Sequence, residues 1–109
     1  MELFERIVKE YGLSLYNPTI AIYAVNMNEA LNAPRIIKYI YSQPIFLEIR
    51  RADVNTVGFT LKNRFGTEII WIYHNDEYEK LKQSTQYAIQ QIKEYRHKLK
   101  LENIRKDFI

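Results

Sequence analysis

The sequence predicts an α+β domain in which an antiparallel three-stranded meander packs under one long C-terminal amphipathic helix. Three runs of alternating residues between positions 45 and 74 are separated by turn-rich segments, which is typical of consecutive antiparallel strands. From position 75 onward the chain contains no Gly or Pro, and its apolar residues recur at helical spacing. We expect two short N-terminal helices and a fourth, central strand at residues 19–25 to complete the fold.

The first short helix is indicated by apolar residues at helical spacing: Leu3, Phe4, Ile7, Val8 and Tyr11. Gly12 stands where such a helix would stop. Residues 19–25 follow a turn signal and are apolar on both alternating faces, which is typical of a strand buried on both sides. Pro34 suits the first turn of a helix, so the second short helix is predicted over residues 35–42, before Pro44.

The meander is predicted to contain strands at residues 45–51, 56–62 and 67–74. We tested its register by requiring inward residues to face inward residues across both hairpins. One register satisfies both hairpins and sets two inner rows, Ile49–Phe59–Trp71 and Leu47–Leu61–Ile69. The same register places Lys62 opposite Glu68 on the other face, which is a favourable cross-strand pair.

The C-terminal helix carries an apolar stripe with spacings of three and four: Leu81, Thr85, Ala88, Ile92, Tyr95 and Leu99. We expect this stripe to cover the inner face of the meander. A helix over residues 77–99 is already about 34 Å long, whereas strands of this length span only about 25 Å. Residues 96–109 are therefore predicted to bend back, to meet a partner, or to protrude as a basic helical tail.

The composition is that of one globular domain. With 109 residues, 47% of them hydrophobic and 27% charged, the chain can bury a single core. It contains no Cys, which excludes disulfides and thiolate sites. No apolar run approaches the roughly 20 residues that span a bilayer, and the acidic N-terminus does not resemble a secretory signal. We expect a cytoplasmic protein with no membrane partner, and its bias toward Ile, Tyr, Lys and Asn is typical of AT-rich viral, plasmid or archaeal genomes.

Positive charge is concentrated at the C-terminus. Residues 96–109 contain five Lys or Arg and two Asp or Glu, a balance of +3 that equals the formal net charge of the whole chain. Such a helical end can bind phosphates, and its candidate contacts are Arg96, Lys98, Lys100, Arg105 and Lys106. The alternative is that these cations complement the helix dipole on a solvated face.

A second basic group is predicted on the outer face of the meander. Arg50, Thr60 and Lys62 are predicted to line up on this face near Phe46, with Arg64 and Phe65 in the adjoining turn. Cations beside aromatic rings can bind the phosphates and bases of single-stranded nucleic acid. Ile70 and Ile72 fall on the same face, so a sheet covered on both sides is the alternative.

Catalytic patterns are sparse. Neither His74 nor His97 belongs to a metal-binding motif, and three isolated glycines cannot build a phosphate loop, so we predict neither a metal nor a cofactor. In its order, a small helix before a meander with basic strands, the chain resembles the RelE-type ribonuclease toxins. The resemblance implies Arg50, Lys62, Arg64 and His74 as the residues to test. The helical hairpin of that family is not matched, because residues 19–25 precede only one predicted short helix.

These observations lead to three functional hypotheses. The first is a non-enzymatic accessory protein that binds nucleic acid through its basic residues. The alternative is a protein-interaction module, such as an inhibitor or an assembly subunit that forms a homodimer through the C-terminal helix, a reading favoured if the apolar stripe is not buried on its own sheet. The third is a small metal-independent ribonuclease.

Overall fold

The computed structural model describes residues 2–25, 42–63 and 68–107, with side chains to residue 102. Helix α1 (Leu3–Tyr11) is followed by strands β1 (Ser14–Asn17) and β2 (Ile20–Ala24), and later by β3 (Phe46–Asp53), β4 (Thr56–Lys62) and β5 (Glu68–His74). A 3-10 turn (Asn75–Glu77) leads into helix α2 (Tyr78–Asp107). The predicted α+β class is confirmed, whereas the predicted second short helix at residues 35–42 lies almost entirely outside the described residues.

Helix α1 forms and ends as its sequence predicts. Leu3, Phe4 and Ile7 share its buried face. Gly12 adopts a left-handed conformation with φ 60°, and its N–H donates to the carbonyl of Val8. A residue without Cβ takes this conformation at little cost, so the helix stops there and the chain turns into β1.

The sheet has five antiparallel strands in the order β1-β2-β3-β4-β5, which corrects the predicted count of three or four. The predicted strand at residues 19–25 is confirmed as β2, an interior strand between β1 and β3. Strand β1 was not predicted, because four residues between a helix stop and a turn carry too little alternation to be recognised. Its end is closed by Asn17, whose side-chain oxygen accepts from the backbone N–H of Thr19 at 2.8 Å.

The predicted register of the meander is confirmed in both hairpins. Ile49 lies opposite Phe59, and Phe59 lies opposite Trp71. The next row contains Leu47, Leu61 and Ile69, and Lys62 pairs with Glu68 on the other face. Period-two alternation therefore specified the register of both hairpins, except for the irregularity between Arg51 and Asp53 at the end of β3.

Helix α2 covers the inner face of the sheet with the predicted stripe. Leu81, Thr85, Ala88 and Ile92 are fully buried, and Ile89 is 9% exposed. Leu81, Ala88, Ile89 and Ile92 pack with α1 and the inner rows of β2, β3 and β4 in one hydrophobic core. Since the stripe is buried on its own sheet, it is not available for a coiled coil with another helix.

The opposite face of the sheet has a smaller core of its own. Ile22, Ala24 and Phe46 are 3%, 0% and 1% exposed, and Glu48 beside them is 6% exposed. The β2–β3 part of the sheet is thus covered on both faces. Exposed side chains on this face include Arg50, at the other end of β3 from Phe46, and Ile70 and Ile72 on β5.

Helix α2 is one continuous helix of 30 residues, about 45 Å long at 1.5 Å per residue. Lys98, Lys100, Leu101 and Glu102 are exposed, and Leu99 is half-buried. The backbone of the tail continues the helix as far as Asp107 and does not bend back onto the sheet. No helix in the described part of the chain is both long and apolar enough to span a bilayer.

Candidate functional site

The basic residues predicted on the outer face of the sheet make intramolecular contacts. Nε of Arg50 lies 2.9 Å from Oε1 of Glu48, and this ion pair joins an exposed guanidinium to a carboxylate whose side chain is only 8% exposed. Nζ of Lys62 lies 5.9 Å from the ring centre of Phe46, its cross-strand partner. Arg64 lies outside the described residues.

Arg50 and Lys62 share a face but are not close together. Phe46 lies opposite Lys62, whereas Arg50 lies opposite Gly58, so four residues of strand separate them. Four residues correspond to about 13 Å. The two cations can therefore contact different phosphates of one strand, but they do not form a single pocket.

Arg96 anchors α2 to the end of β2. Its Nε donates to the carbonyl of Val25 at 3.1 Å, its second nitrogen donates to the hydroxyl of Tyr23 at 3.2 Å, and its third donates to the carbonyl of Ala24. The guanidinium carbon also lies 4.9 Å from the ring centre of Tyr23. Most donors of this side chain are thus directed into the protein.

Two predicted phosphate contacts on α2 are exposed. Lys98 and Lys100 follow Arg96 on the part of the helix that extends past the sheet. Arg105 and Lys106 belong to the same helix, and only their backbone is described. Lys98 also lines a depression near Asn63, so it lies at the same end of the sheet as Lys62.

Of the residues that the ribonuclease resemblance implies, the three that the structure describes are spread along the sheet. His74 lies opposite Thr56 at one end of β4, whereas Lys62 lies opposite Glu68 at the other. The six residues between these rows correspond to about 20 Å of strand. Among the described residues, no three His, Asp or Glu side chains are grouped so that they could hold a metal ion.

The most exposed apolar surface of the described chain lies on β5, where no binding site was predicted from the sequence. Ile69, Ile70, Trp71 and Ile72 are 48%, 66%, 58% and 58% exposed. We call these four residues the β5 strip. They are consecutive, so the strip occupies both faces of the strand, and β5 is the outermost strand of the sheet. A run of large apolar residues exposed on an edge strand is uncommon in a stable monomer.

The course of α2 explains why the β5 strip is uncovered on the inner face. The helix starts beside β5, where the hydroxyls of Tyr73 and Ser84 are 2.6 Å apart. It then crosses the sheet toward β2, where Arg96 is bound. Tyr73 is consequently buried, while Trp71 and Ile69 on the same face become exposed as the helix moves away.

Two adjoining depressions of about 420 and 360 Å³ occupy the space between α2 and the inner face of β5. They share Leu61, Ile69 and Tyr87, so together they form one groove. Tyr87 on the helix side is 56% exposed. The groove is apolar at Trp71 and becomes polar toward Lys98, where Asn63, Gln91 and Glu94 line it.

A polar cluster holds the first turn of α2 against α1. The hydroxyl of Tyr78 donates to Glu10, and Nζ of Lys82 lies 3.1 Å from the same carboxylate. The guanidinium of Arg6 stacks on the Tyr78 ring at 3.8 Å, and the hydroxyl of Tyr11 donates to the carbonyl of Lys82 at 3.2 Å. These contacts join α1 to α2.

The protonation states of Tyr78 and Glu10 fit a structural role for this polar cluster. The pKa of Tyr78 is raised to about 12, mainly by burial and secondly by the hydrogen bond to Glu10. The hydrogen bond from Tyr78, followed by that from Lys82, holds the pKa of Glu10 below its ordinary value. The phenol stays protonated and the carboxylate ionised at neutral pH, which suits a fixed interhelical contact and not a general base or nucleophile.

Comparison with known proteins does not assign this chain to a group. No protein-family model, no curated protein and no solved structure matches it. The geometry of β5, the groove and the basic helix end is therefore the basis for assigning a function.

Proposed function

We propose that the chain is a protein-interaction module that binds its partner through the edge of β5. The observation that carries this proposal is the β5 strip, four consecutive large apolar residues that are each 48–66% exposed on a seven-residue edge strand. An edge strand offers unpaired backbone N–H and C=O groups along its length. A partner strand that pairs with β5 satisfies those groups and covers the strip in one step.

The chemistry of the strip supports protein as its partner. Aromatic and large aliphatic residues are enriched in the centres of protein interfaces, and charged residues are depleted there. Trp71, at the middle of β5, has Tyr87 beside it across the groove. Tryptophan and tyrosine are the residues that most often dominate binding energy, so we expect Trp71 to be the main anchor.

Site-specific photo-cross-linking tests the proposal. A benzoylphenylalanine placed at Ile72 is compared with the same group at Leu15, which is 52% exposed on the opposite edge strand, β1. We expect a discrete adduct of defined mass from position 72 in cells producing the chain and none from position 15. Adducts from neither position, or equal adducts from both, would contradict the proposal.

Nucleic-acid binding is the second candidate, and the exposure of Lys98 and Lys100 past the end of the sheet favours it. Phosphate contacts release counterions, so binding should weaken steeply between about 50 and 200 mM salt. The test is a titration with single- and double-stranded DNA and RNA at both salt concentrations. We expect the double variant Lys98→Gln/Lys100→Gln to bind several-fold more weakly.

The matched control for that titration is Lys80→Gln/Lys93→Gln, which removes the same charge from exposed positions of the same helix. Equal loss in both variants would show a nonspecific charge effect. Arg96 is left unchanged, because its hydrogen bonds to the end of β2 make it part of the fold.

A further inference from the structure

The β5 strip is complementary to itself. In an antiparallel pair, residues that lie directly opposite point to the same face of the sheet. Two copies related by a twofold axis perpendicular to the sheet therefore pair odd-numbered residues of β5 with odd ones and even with even. We propose, on the basis of the proposed function, that the partner of β5 is a second copy of this chain, paired antiparallel about Trp71.

This register matches apolar residues along the whole strip. Trp71 lies opposite the partner's Trp71, and Ile70 lies opposite the partner's Ile72. On the inner face, Ile69 lies opposite the partner's Tyr73. Every exposed side chain of the strip then has an apolar neighbour across the interface, which is the arrangement that stabilises antiparallel pairs.

Charge complementarity selects this register over its neighbours. Glu68 and His74 are the two polar ends of β5, three residues on either side of Trp71. Pairing about Trp71 places Glu68 opposite the partner's His74, twice by symmetry, where an imidazole N–H can donate to the carboxylate. A shift to pairing about Ile70 would place Glu68 opposite the partner's Ile72, and a shift about Ile72 would bring it to the partner's Asp76.

The two edges of the sheet also determine the size of the assembly. A twofold contact uses the same surface on both copies and closes on itself. The outer edges of the resulting ten-stranded sheet are the two β1 strands, each four residues long with an irregular register between Leu15 and Asn17. Short and irregular edges resist further pairing, so the assembly stops at the dimer.

Sedimentation equilibrium of the full chain, combined with the fluorescence of its one tryptophan, tests the inference. We expect the mass to rise from 13.2 kDa to twice that value with concentration across the micromolar range. The emission of Trp71 should shift to the blue over the same range, since dimerisation removes the indole from water. A dimer without this shift would place the interface elsewhere and overturn the inference.

Edge variants locate the interface. Ile72→Lys puts a charge on the strip and should weaken dimerisation at least tenfold. Leu15→Lys makes the same change on β1 and should leave it unchanged. Circular dichroism checks that both variants fold. Equal weakening by both variants would overturn the assignment to β5.

A charge-exchange cycle tests the register. Glu68→Lys and His74→Glu should each weaken the dimer, because each removes two complementary contacts. The double variant should recover most of the lost affinity, since Lys at 68 then faces Glu at 74 in both halves. A dimer indifferent to all three changes would overturn pairing about Trp71.

Failure of this inference can be told from failure of the proposed function. A chain that stays monomeric at all concentrations, yet yields an adduct with a different protein from position 72, overturns the second copy and leaves β5 as an interaction edge. A monomer that yields no adduct from position 72 overturns both.

Discussion

The two edge strands of this sheet, β1 and β5, differ in how strongly they resist pairing with a further strand. Strand β1 has four residues, an irregular register and a side-chain-capped turn at Asn17. Strand β5 has seven residues in unbroken register with β4, and it exposes Ile69 through Ile72. Both strands lie at an edge of the described sheet, and of the two only β5 has the length, the regular register and the apolar surface that favour pairing with another strand. A run of consecutive exposed apolar residues is therefore found at β5 and not at β1.

The exposure of Ile69 and Trp71 on the inner face of β5 follows from the diagonal course of α2. The helix is anchored beside β2 by Arg96 and beside β5 at its first turns, through Tyr73 and Ser84. It covers the centre of the sheet and leaves the first half of β5 uncovered. A parallel course over β4 and β5 would have buried Trp71 and produced an ordinary two-layer monomer.

The largest loss of stability is expected from a substitution on β4, the strand next to β5. Phe59 is 3% exposed in the same inner row as Trp71, and Phe59→Ala should lower the free energy of unfolding by about 3–5 kcal/mol. Trp71→Ala, measured at dilute concentration, should cost less than about 1 kcal/mol, because the indole is already largely in water. Urea denaturation followed by circular dichroism gives both values. Similar losses in the two variants would show that Trp71 belongs to the core.

An intermediate effect is expected at the anchor beside β2. Arg96→Gln removes hydrogen bonds to the carbonyls of Val25 and Ala24 and should lower the free energy of unfolding by about 1–3 kcal/mol. Lys93→Gln, an exposed change three residues earlier on the same helix, is the control and should alter it by less than about 0.5 kcal/mol. Equal stability of the two variants would mean that Arg96 does not hold the helix in its diagonal course.

The smallest effect concerns the polar cluster that fixes the start of α2 beside β5. The folded-state pKa of Tyr78 is raised from 10.0 to about 12, so its contribution to stability is present below pH 10 and is lost as the pH rises toward 12. Because the phenol is partly exposed, solvent screening keeps this contribution small.

Thermal unfolding between pH 9 and 12 measures the contribution of Tyr78 to stability. The proteins compared are the wild type, Tyr78→Phe and the exposed control Tyr87→Phe. We expect the gap between wild type and Tyr78→Phe to narrow with rising pH, and no such trend for Tyr87→Phe. A constant gap would assign the effect of Tyr78 to packing alone.

Most helices and strands and the register of the meander were predicted from the sequence. The nucleic-acid-binding residues predicted from it were all basic, and none of them lies on β5. Of the eight basic residues that it proposed, Arg50 and Arg96 make intramolecular contacts, Lys62 lies near an aromatic ring, and Lys98 and Lys100 are exposed. Nucleic-acid binding by these residues stays a prediction. A signal for the β5 strip was present, since Ile69 to Ile72 are consecutive apolar residues on the outermost strand of the predicted meander. The expectation that the stripe of the C-terminal helix covers the inner face implied burial of Ile69 and Trp71, and a sheet covered on both sides was the alternative for Ile70 and Ile72.

Local chemistry was sufficient for α1, β2, the meander and the stripe of α2, because alternation, turn residues and helix stops act over a few positions. Four-residue β1 lies below the length at which alternation can be read. The uncovered state of β5 depends on contacts between distant parts of the chain, such as Arg96 with Val25, which are 71 residues apart. No pattern within a strand records where a helix that follows it will cross the sheet, so the exposure of Trp71 followed from the packing of α2 and not from the residues of β5.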